Sequence, residues 1–560
     1  MDAQNSRDGG LTRRSALALA LAAASMFTPR GASAQEPGLL ISGGPIYTGL
    51  GEGQRVEAVA TQGDRVVFAG SLADARRAAP AARRIDLAGA AAYPGFVDCH
   101  AHLTEIGLRE MTLNLTGVGS VAELQARLRA WAARQPTGPI SGEGWIETHW
   151  PEKRFPTRAD LDAVVADRPV RLGRADGHAV VANSRAIALA GVSASTPNPP
   201  GGEILRDASG APAGLFVDNA MSLVEGVFPK PEGSMKREAL TRADRLYTSR
   251  GWTGVHSMSV RQEDLDILRA MAARDALGLR VDNYMDPSSA AEVLATGPSV
   301  DATGRVRLRG IKLYADGSLG SRGAALLAPY SDKPESIGLV VTPHDVMTDL
   351  MRGAKVAGAQ VAVHAIGDRG NRLTLDAMAE VLGGAHTDRR WRIEHAQVLS
   401  PADLPRFAAM GVTASMQASH AIGDLYFAPA RLGPERLKGA YAWRSLLESG
   451  AVVCGGTDAP VEKGDPLIEF YAAVYRHALN GFAGPDWGLN ETVSRVQALR
   501  MFTSSAAYAI GRENELGTLE VGKRADLTVF SSDLMTVEPA DILKAKPVLT
   551  VIAGRSVFSA

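Results

Sequence analysis

The sequence predicts an α/β protein built on a (β/α)8 barrel, with a small β-sandwich formed by both chain ends and a large insertion after the first barrel strand. Three observations carry this prediction. Eight short apolar runs recur through the middle of the chain, with helix-patterned stretches in the gaps between them. Short alternating segments near residue 40 are echoed by similar segments near residue 550. The first gap between apolar runs, about 150 residues, is too long for a plain connection and must carry structure of its own.

The elements follow in chain order. "LTRRSALALALAAASMF" places Arg13 and Arg14 ahead of an Ala-rich apolar stretch too short to span a bilayer, and "ASAQE" supplies small residues Ala32 and Ala34 around a cleavage point. Residues 1–34 are therefore expected to be a twin-arginine-type export signal, an address rather than an anchor, directing the chain to a bacterial periplasm. No other stretch is long and apolar enough for a membrane span. Residues 35–92 and 510–560 are predicted to pair as the composite β-sandwich domain. Residues 93–509 are predicted to form the barrel, with an inserted subdomain at about 105–248. The eight strand candidates are 95–102, 252–258, 279–285, 308–316, 359–368, 390–397, 411–417 and 450–458. The insertion should overhang the catalytic end, because βα loops build that face of a barrel.

Composition narrows the function. The chain has 560 residues, 45% hydrophobic and 22% charged, enough for a sizeable core. A formal net charge of −1 gives no electrostatic case for nucleic acid or an anionic membrane, so the expected partner is a small-molecule substrate. The two cysteines, Cys99 and Cys454, lie in apolar runs and read as small buried residues, not a disulfide.

The chemistry sits at the ends of the apolar runs. In "FVDCHAH", His100 and His102 share a strand face, with Cys99 on the other. Lys312 lies in "IKLYADGS", His364 in "VAVHAIGD", His395 in "RIEHAQ" and Asp458 in "CGGTDAP". One polar residue in an apolar run reads as a satisfied core residue. Six at corresponding places of an eightfold alternation read as a metal centre. Imidazole and carboxylate suit Zn2+, with Mn2+, Fe2+, Co2+ and Ni2+ as alternatives, one or two ions per chain. A cationic Lys312 fits such a group if CO2 converts its amine to a carbamate, which can bridge two ions about 3.5–4 Å apart. Arg322 is a candidate for a substrate carboxylate, the alternative being a structural ion pair. His178 is a candidate reaching in from the insertion, against a local hydrogen bond. Trp145 is a candidate pocket wall, against core packing. His256, ending the second run, reads as structural.

The motifs "PGFVDCHAH", "KLYADGSLGSR", "VHAIGD", "RIEHAQ", "MQASH", "GGTDAPVE" and "LGTLEVGKRADLTVF", in that order, resemble the amidohydrolase superfamily. More narrowly they resemble amidohydrolase family 3, the branch with N-substituted formamide deformylases. The resemblance implies that His100 and His102 bind the more buried metal and that Lys312 is the carboxylated bridge. It implies His364 and His395 for the second metal, and Asp458 as ligand and proton shuttle. A homodimer is the assembly it implies. "MQASH" departs from the family's Met-Gln-Pro at Ala418, which bears on the substrate role of His420.

The expected function is metal-dependent hydrolysis of a non-peptide C–N bond, in an amide, N-acyl or N-formyl group, with Asp458 as general base and then general acid. The alternatives are ester, cyclic amide or carbamate hydrolysis or deamination on the same centre, or a binding protein that keeps the barrel.

Overall fold

In a computed structural model of the chain, residues 38–560 are described, apart from 148–149, 176, 178, 200–201 and 485–486. The export segment at 1–34 and His178 lie outside the described residues.

Eight parallel strands form the central sheet, in chain order: β1 (Phe96–Ala101), β2 (Trp252–Val260), β3 (Arg280–Met285), β4 (Val306–Tyr314), β5 (Gln360–Ala365), β6 (Arg392–His395), β7 (Thr413–Gln417) and β8 (Val453–Gly456). Each lies within or close to the bounds of a predicted run. These strands are buried on both faces, so they show no clean alternation of apolar and polar residues, although β3 and β6 carry charges within the run. Helices between the strands end on left-handed glycines, as at Gly358 and Gly411, where no side chain opposes a positive φ.

The sheet is nearly a closed barrel. Between β8 and β1 the contact narrows to a short seam just past the strand ends. There the Asp458 N–H donates to the His100 carbonyl (2.7 Å) and the His102 N–H to the Ala459 carbonyl (2.8 Å).

Residues between β1 and β2 form a separate six-stranded sheet from segments between Leu113 and Asp218. Its own apolar core includes Leu124, Trp145, Trp150 and Leu172. The chain enters this region through the helix Leu103–Met111 and leaves it through the helix Ser234–Arg250. These helices meet so closely that a Cβ on Gly107 would lie 1.9 Å from the Ala239 carbonyl oxygen.

The two ends of the chain also meet. Ala91–Pro94 pairs antiparallel with Leu527–Phe530, and hydrogen bonding joins strands from both ends into one eight-stranded mixed sheet. Arg280 of β3 ties this sheet to the barrel through Asp526, at 2.6 and 3.0 Å. Cys99 and Cys454 are free and buried, packed with Val97, Ala506 and Ala509 outside the barrel wall. No helix among the described residues is long and apolar enough to cross a membrane.

Candidate metal centre

The strand ends bring the sequence-predicted histidines into one cluster. Ring centres run His364 to His395 at 4.6 Å, His395 to His100 at 4.8 Å, His100 to His102 at 5.5 Å and His395 to His420 at 5.7 Å. Asp458 faces them: its Oδ1 is 3.3 Å from both His100 Nε2 and His102 Nε2, and its Oδ2 is 3.6 Å from His420 Nε2. His100, His395 and Asp458 each offer a ligand atom within 4.8 Å of the others.

The backbone is bent to achieve this. His395, Ala396 and Asp458 have φ of 71°, 42° and 57°, a region that non-glycine residues rarely occupy. Such conformations persist where the surroundings over-determine them, and they cluster at functional sites.

Hydrogen bonds fix which nitrogen each imidazole presents. Arg392 forks onto Glu394, with Nε to Oε1 at 2.5 Å and Nη2 to Oε2 at 3.0 Å, so Glu394 is an acceptor-only carboxylate. His100 Nδ1, 2.6 Å from Glu394 Oε2, must therefore carry the proton and donate it. The side chain of His395 is held likewise, its Nδ1 donating to Gln417 Oε1 at 2.7 Å. Burial holds the His100 imidazole below the usual histidine range, with the nearby Lys312 ammonium adding to it. The same two causes push His364 down to about 3. Burial, with His364 beside it, pushes His395 well down too. These rings are neutral at neutral pH, with a lone pair on Nε2 of His100 and His395.

The consequence is a test of fit for a cation. His100 Nε2 is wholly buried with no hydrogen-bond partner among the described residues. The atom facing it at 3.3 Å is a carboxylate oxygen. Burial raises the Asp458 carboxyl, but the imidazoles around it outweigh this and hold it well below the usual carboxylate range. A lone pair facing a carboxylate oxygen, both out of water, is unfavourable until a cation lies between them. The donor set, neutral imidazoles and a carboxylate, fits a zinc-type ion.

Lys312 is buried on β4, its Nζ 5.1 Å from the ring centre of Tyr314. Burial pushes its amine down to about 8. The Tyr314 ring is 5.7 Å from that of His364, and its hydroxyl bonds to that of Ser259, itself at φ 57°.

The remaining candidates divide. His420 joins the cluster, in spite of the departure at Ala418. Trp145 does not: it is wholly buried in the insertion's core, its indole N–H donating to the Leu172 carbonyl at 2.8 Å, so it has no surface to offer a substrate. The apolar packing of that sheet claimed it. Arg322 forks onto Asp332 at 2.8 and 3.2 Å, and Asp332 is shared with Arg431, so the ion pair is the role the structure gives it. His256 is buried on β2, its Nδ1 accepting from Arg392 at 2.9 Å. Sequence reasoning missed Arg392 and Glu394. The available signal was two charges at alternate positions of the run "RIEH", which places both inside the barrel with the same facing.

Residues 83–558 match the model of the amidohydrolase family. The chain belongs to this family. It is 34% identical to YtcJ of Bacillus subtilis over 529 residues, which covers 92% of this chain and 98% of that protein. It is 27% identical to the N-substituted formamide deformylase of Arthrobacter pascens over 516 residues, covering 89% and 94%. An uncharacterized metal-dependent hydrolase from Pyrococcus horikoshii superposes with a TM-score of 0.75 at 27% identity, covering 90% of this chain and 99% of that one. The chain is a hydrolytic enzyme of the metal-dependent amidohydrolase superfamily, acting on a small molecule.

Proposed function

We propose that this amidohydrolase cleaves a non-peptide C–N bond, in an amide, N-acyl or N-formyl group, at a zinc centre of one or two ions. The observation that carries the reading is the buried His100 Nε2 facing Asp458 Oδ1 at 3.3 Å with no hydrogen-bonding proton between them. His100, His102, His364, His395 and Asp458 would hold the metal, with Lys312 as its carbamate where two ions are present. A bound divalent ion supplies Lewis acidity, polarising a carbonyl oxygen and lowering the pKa of water from 15.7 to about 7.

The chain's own groups do the rest. Asp458 takes the proton of the attacking water on a carboxylate oxygen and returns it to the leaving nitrogen. His420, 3.6 Å from Asp458 Oδ2 and stacked near His395, is the donor beside the substrate's carbonyl oxygen. Lys312, with its amine lowered to about 8 by burial, has the neutral form that CO2 requires. The similarity to a formamide deformylase supports the N-acyl class. We also place the mature enzyme in the periplasm, delivered by the signal read at residues 1–34.

The test is metal content per chain, with and without Lys312→Ala, followed by a panel of N-formyl, N-acyl and ester substrates. About two ions falling to one or fewer, with activity lost to chelator and regained with Zn2+, is the expected result. Metal-free protein after reconstitution with Zn2+ and bicarbonate overturns the reading. Turnover of esters alone overturns the C–N assignment.

A further inference from the structure

The interior of a barrel of this type is ordinarily filled by branched aliphatic side chains. Here β6 instead turns Arg392 and Glu394 inward, and both are wholly buried. A buried ion pair is often no more stabilising than apolar packing of the same volume. Its presence therefore asks what else it does, and its contacts answer.

Arg392 is fixed from several strands at once. It donates to the Cys99 carbonyl of β1 at 2.5 Å, to Ser415 Oγ of β7 at 2.6 Å and to His256 Nδ1 of β2 at 2.9 Å. Its guanidinium also lies over the Tyr284 ring of β3, 5.3 Å from the centre. Arg392 is a permanent cation, so His256 accepts at Nδ1 and keeps its proton on Nε2. Nε of Arg392 donates to Glu394 Oε1, and Nη2, shared with Cys99 and Ser415, also lies 3.0 Å from Glu394 Oε2. Beyond this pair, Glu394 makes one hydrogen bond among the described residues: Oε2 faces His100 Nδ1 at 2.6 Å.

We propose that Glu394, clamped by Arg392, is a positioning residue that holds His100 in its Nδ1–H tautomer and orientation, and thereby sets how tightly the centre retains metal. The inference rests on the metal-centre reading and extends it one layer outward, from the face of the barrel into its interior. Carboxylates that accept from a ligating imidazole raise its basicity and fix its ring, and losing one typically lowers metal affinity by about 10–100-fold.

The test uses the full mature chain. Zinc affinity is measured by competition with a chromophoric chelator for wild type, Glu394→Gln and the double variant Arg392→Met/Glu394→Met. The double variant removes the carboxylate without stranding a buried guanidinium. The expected result is affinity about 10–100-fold weaker in both, with a shifted visible spectrum of the cobalt-substituted protein and unchanged circular dichroism. Nitrogen NMR of metal-free, histidine-labelled wild type reads the tautomer without any substitution, and Nδ1–H at His100 is expected. Affinity within threefold of wild type in the folded double variant, or Nε2–H at His100, overturns this inference alone. A wild type that binds no zinc overturns the metal-centre reading with it.

Discussion

The backbone N–H of Asp458 donates to the carbonyl oxygen of His100 at 2.7 Å, so two residues of the candidate metal centre are joined through the main chain as well as facing through their side chains. The seam that closes the barrel and the cluster that would hold the metal are thus one piece of structure. Gly456, the last residue of β8, packs directly against His100 beside that seam. A Cβ there would lie 2.5 Å from His100 N and 2.9 Å from His100 Cβ. The obstacle is backbone and cannot swing aside. Gly456→Ala is expected to destabilise the protein by about 1–3 kcal/mol. It is also expected to lower metal content, where an overpacked site elsewhere would spare it. Thermal unfolding and metal analysis of the same preparation check both.

Asp458 is the group placed to move protons. Asp458→Asn keeps the shape and loses the basicity. Its expected effect is a fall in kcat of about 10²–10⁴ with KM changed far less. Steady-state kinetics on the best N-acyl substrate of the panel measures it, and a loss confined to KM contradicts the assignment.

Lys312 gives a pH dependence whose sign can be worked out. Its amine titrates near 8 in the folded metal-free chain and near 10.5 in the unfolded one. Between these values the unfolded state binds more protons, so this residue makes stability rise with pH across that window. Below pH 8 both states are charged and its full penalty stands. Lys312→Met is expected to be more stable than metal-free wild type at pH 7, with the gap narrowing as the pH approaches 10. Denaturant unfolding at the two pH values checks this. At a fixed concentration of dissolved CO2, reactivation by Zn2+ should also speed up as the pH rises toward 8, where the free amine grows from about a tenth of the total at pH 7 to half.

Trp145 is a stability residue in this structure. Trp145→Ala is expected to cost about 3–5 kcal/mol, with Trp145→Phe costing less. Neither is expected to change the metal content of the folded protein. A selective rise in KM for Trp145→Phe, at unchanged stability, would restore Trp145 to the substrate pocket.

Arg322 and Asp332 are partly exposed, so their pairing is worth about 0.2–1 kcal/mol. Arg322→Ala should leave KM equal for substrates with and without a carboxylate. A rise confined to carboxylated substrates would return Arg322 to the binding site.

Much of this was legible in the sequence, for definite reasons. Parallel strands buried on both faces show no polar face, so β1 to β8 stood out as short runs even where, as in β6, they carry charges. Polar residues within such runs are costly unless they converge, so His100, His102, Lys312, His364, His395 and Asp458 could be read as a group before any contact was known. Trp145 and Arg322 were less legible, because a large aromatic or a lone arginine near a motif has the same appearance in a core or an ion pair as in a pocket. The Arg392–Glu394 pair was hidden because β6 is only four residues long, and its inward facing shows only once its neighbours are placed.

The pairing of Ala91–Pro94 with Leu527–Phe530 has a consequence for the order in which the molecule can be made. More than 400 residues separate these partners. During synthesis β1, with His100 and the following His102, emerges early and waits for Asp458 just past β8, and the terminal sheet waits longer still. Neither closure can begin until most of the chain has left the ribosome. A metal held jointly by His100 and Asp458 would therefore enter late, once most of the chain has been made.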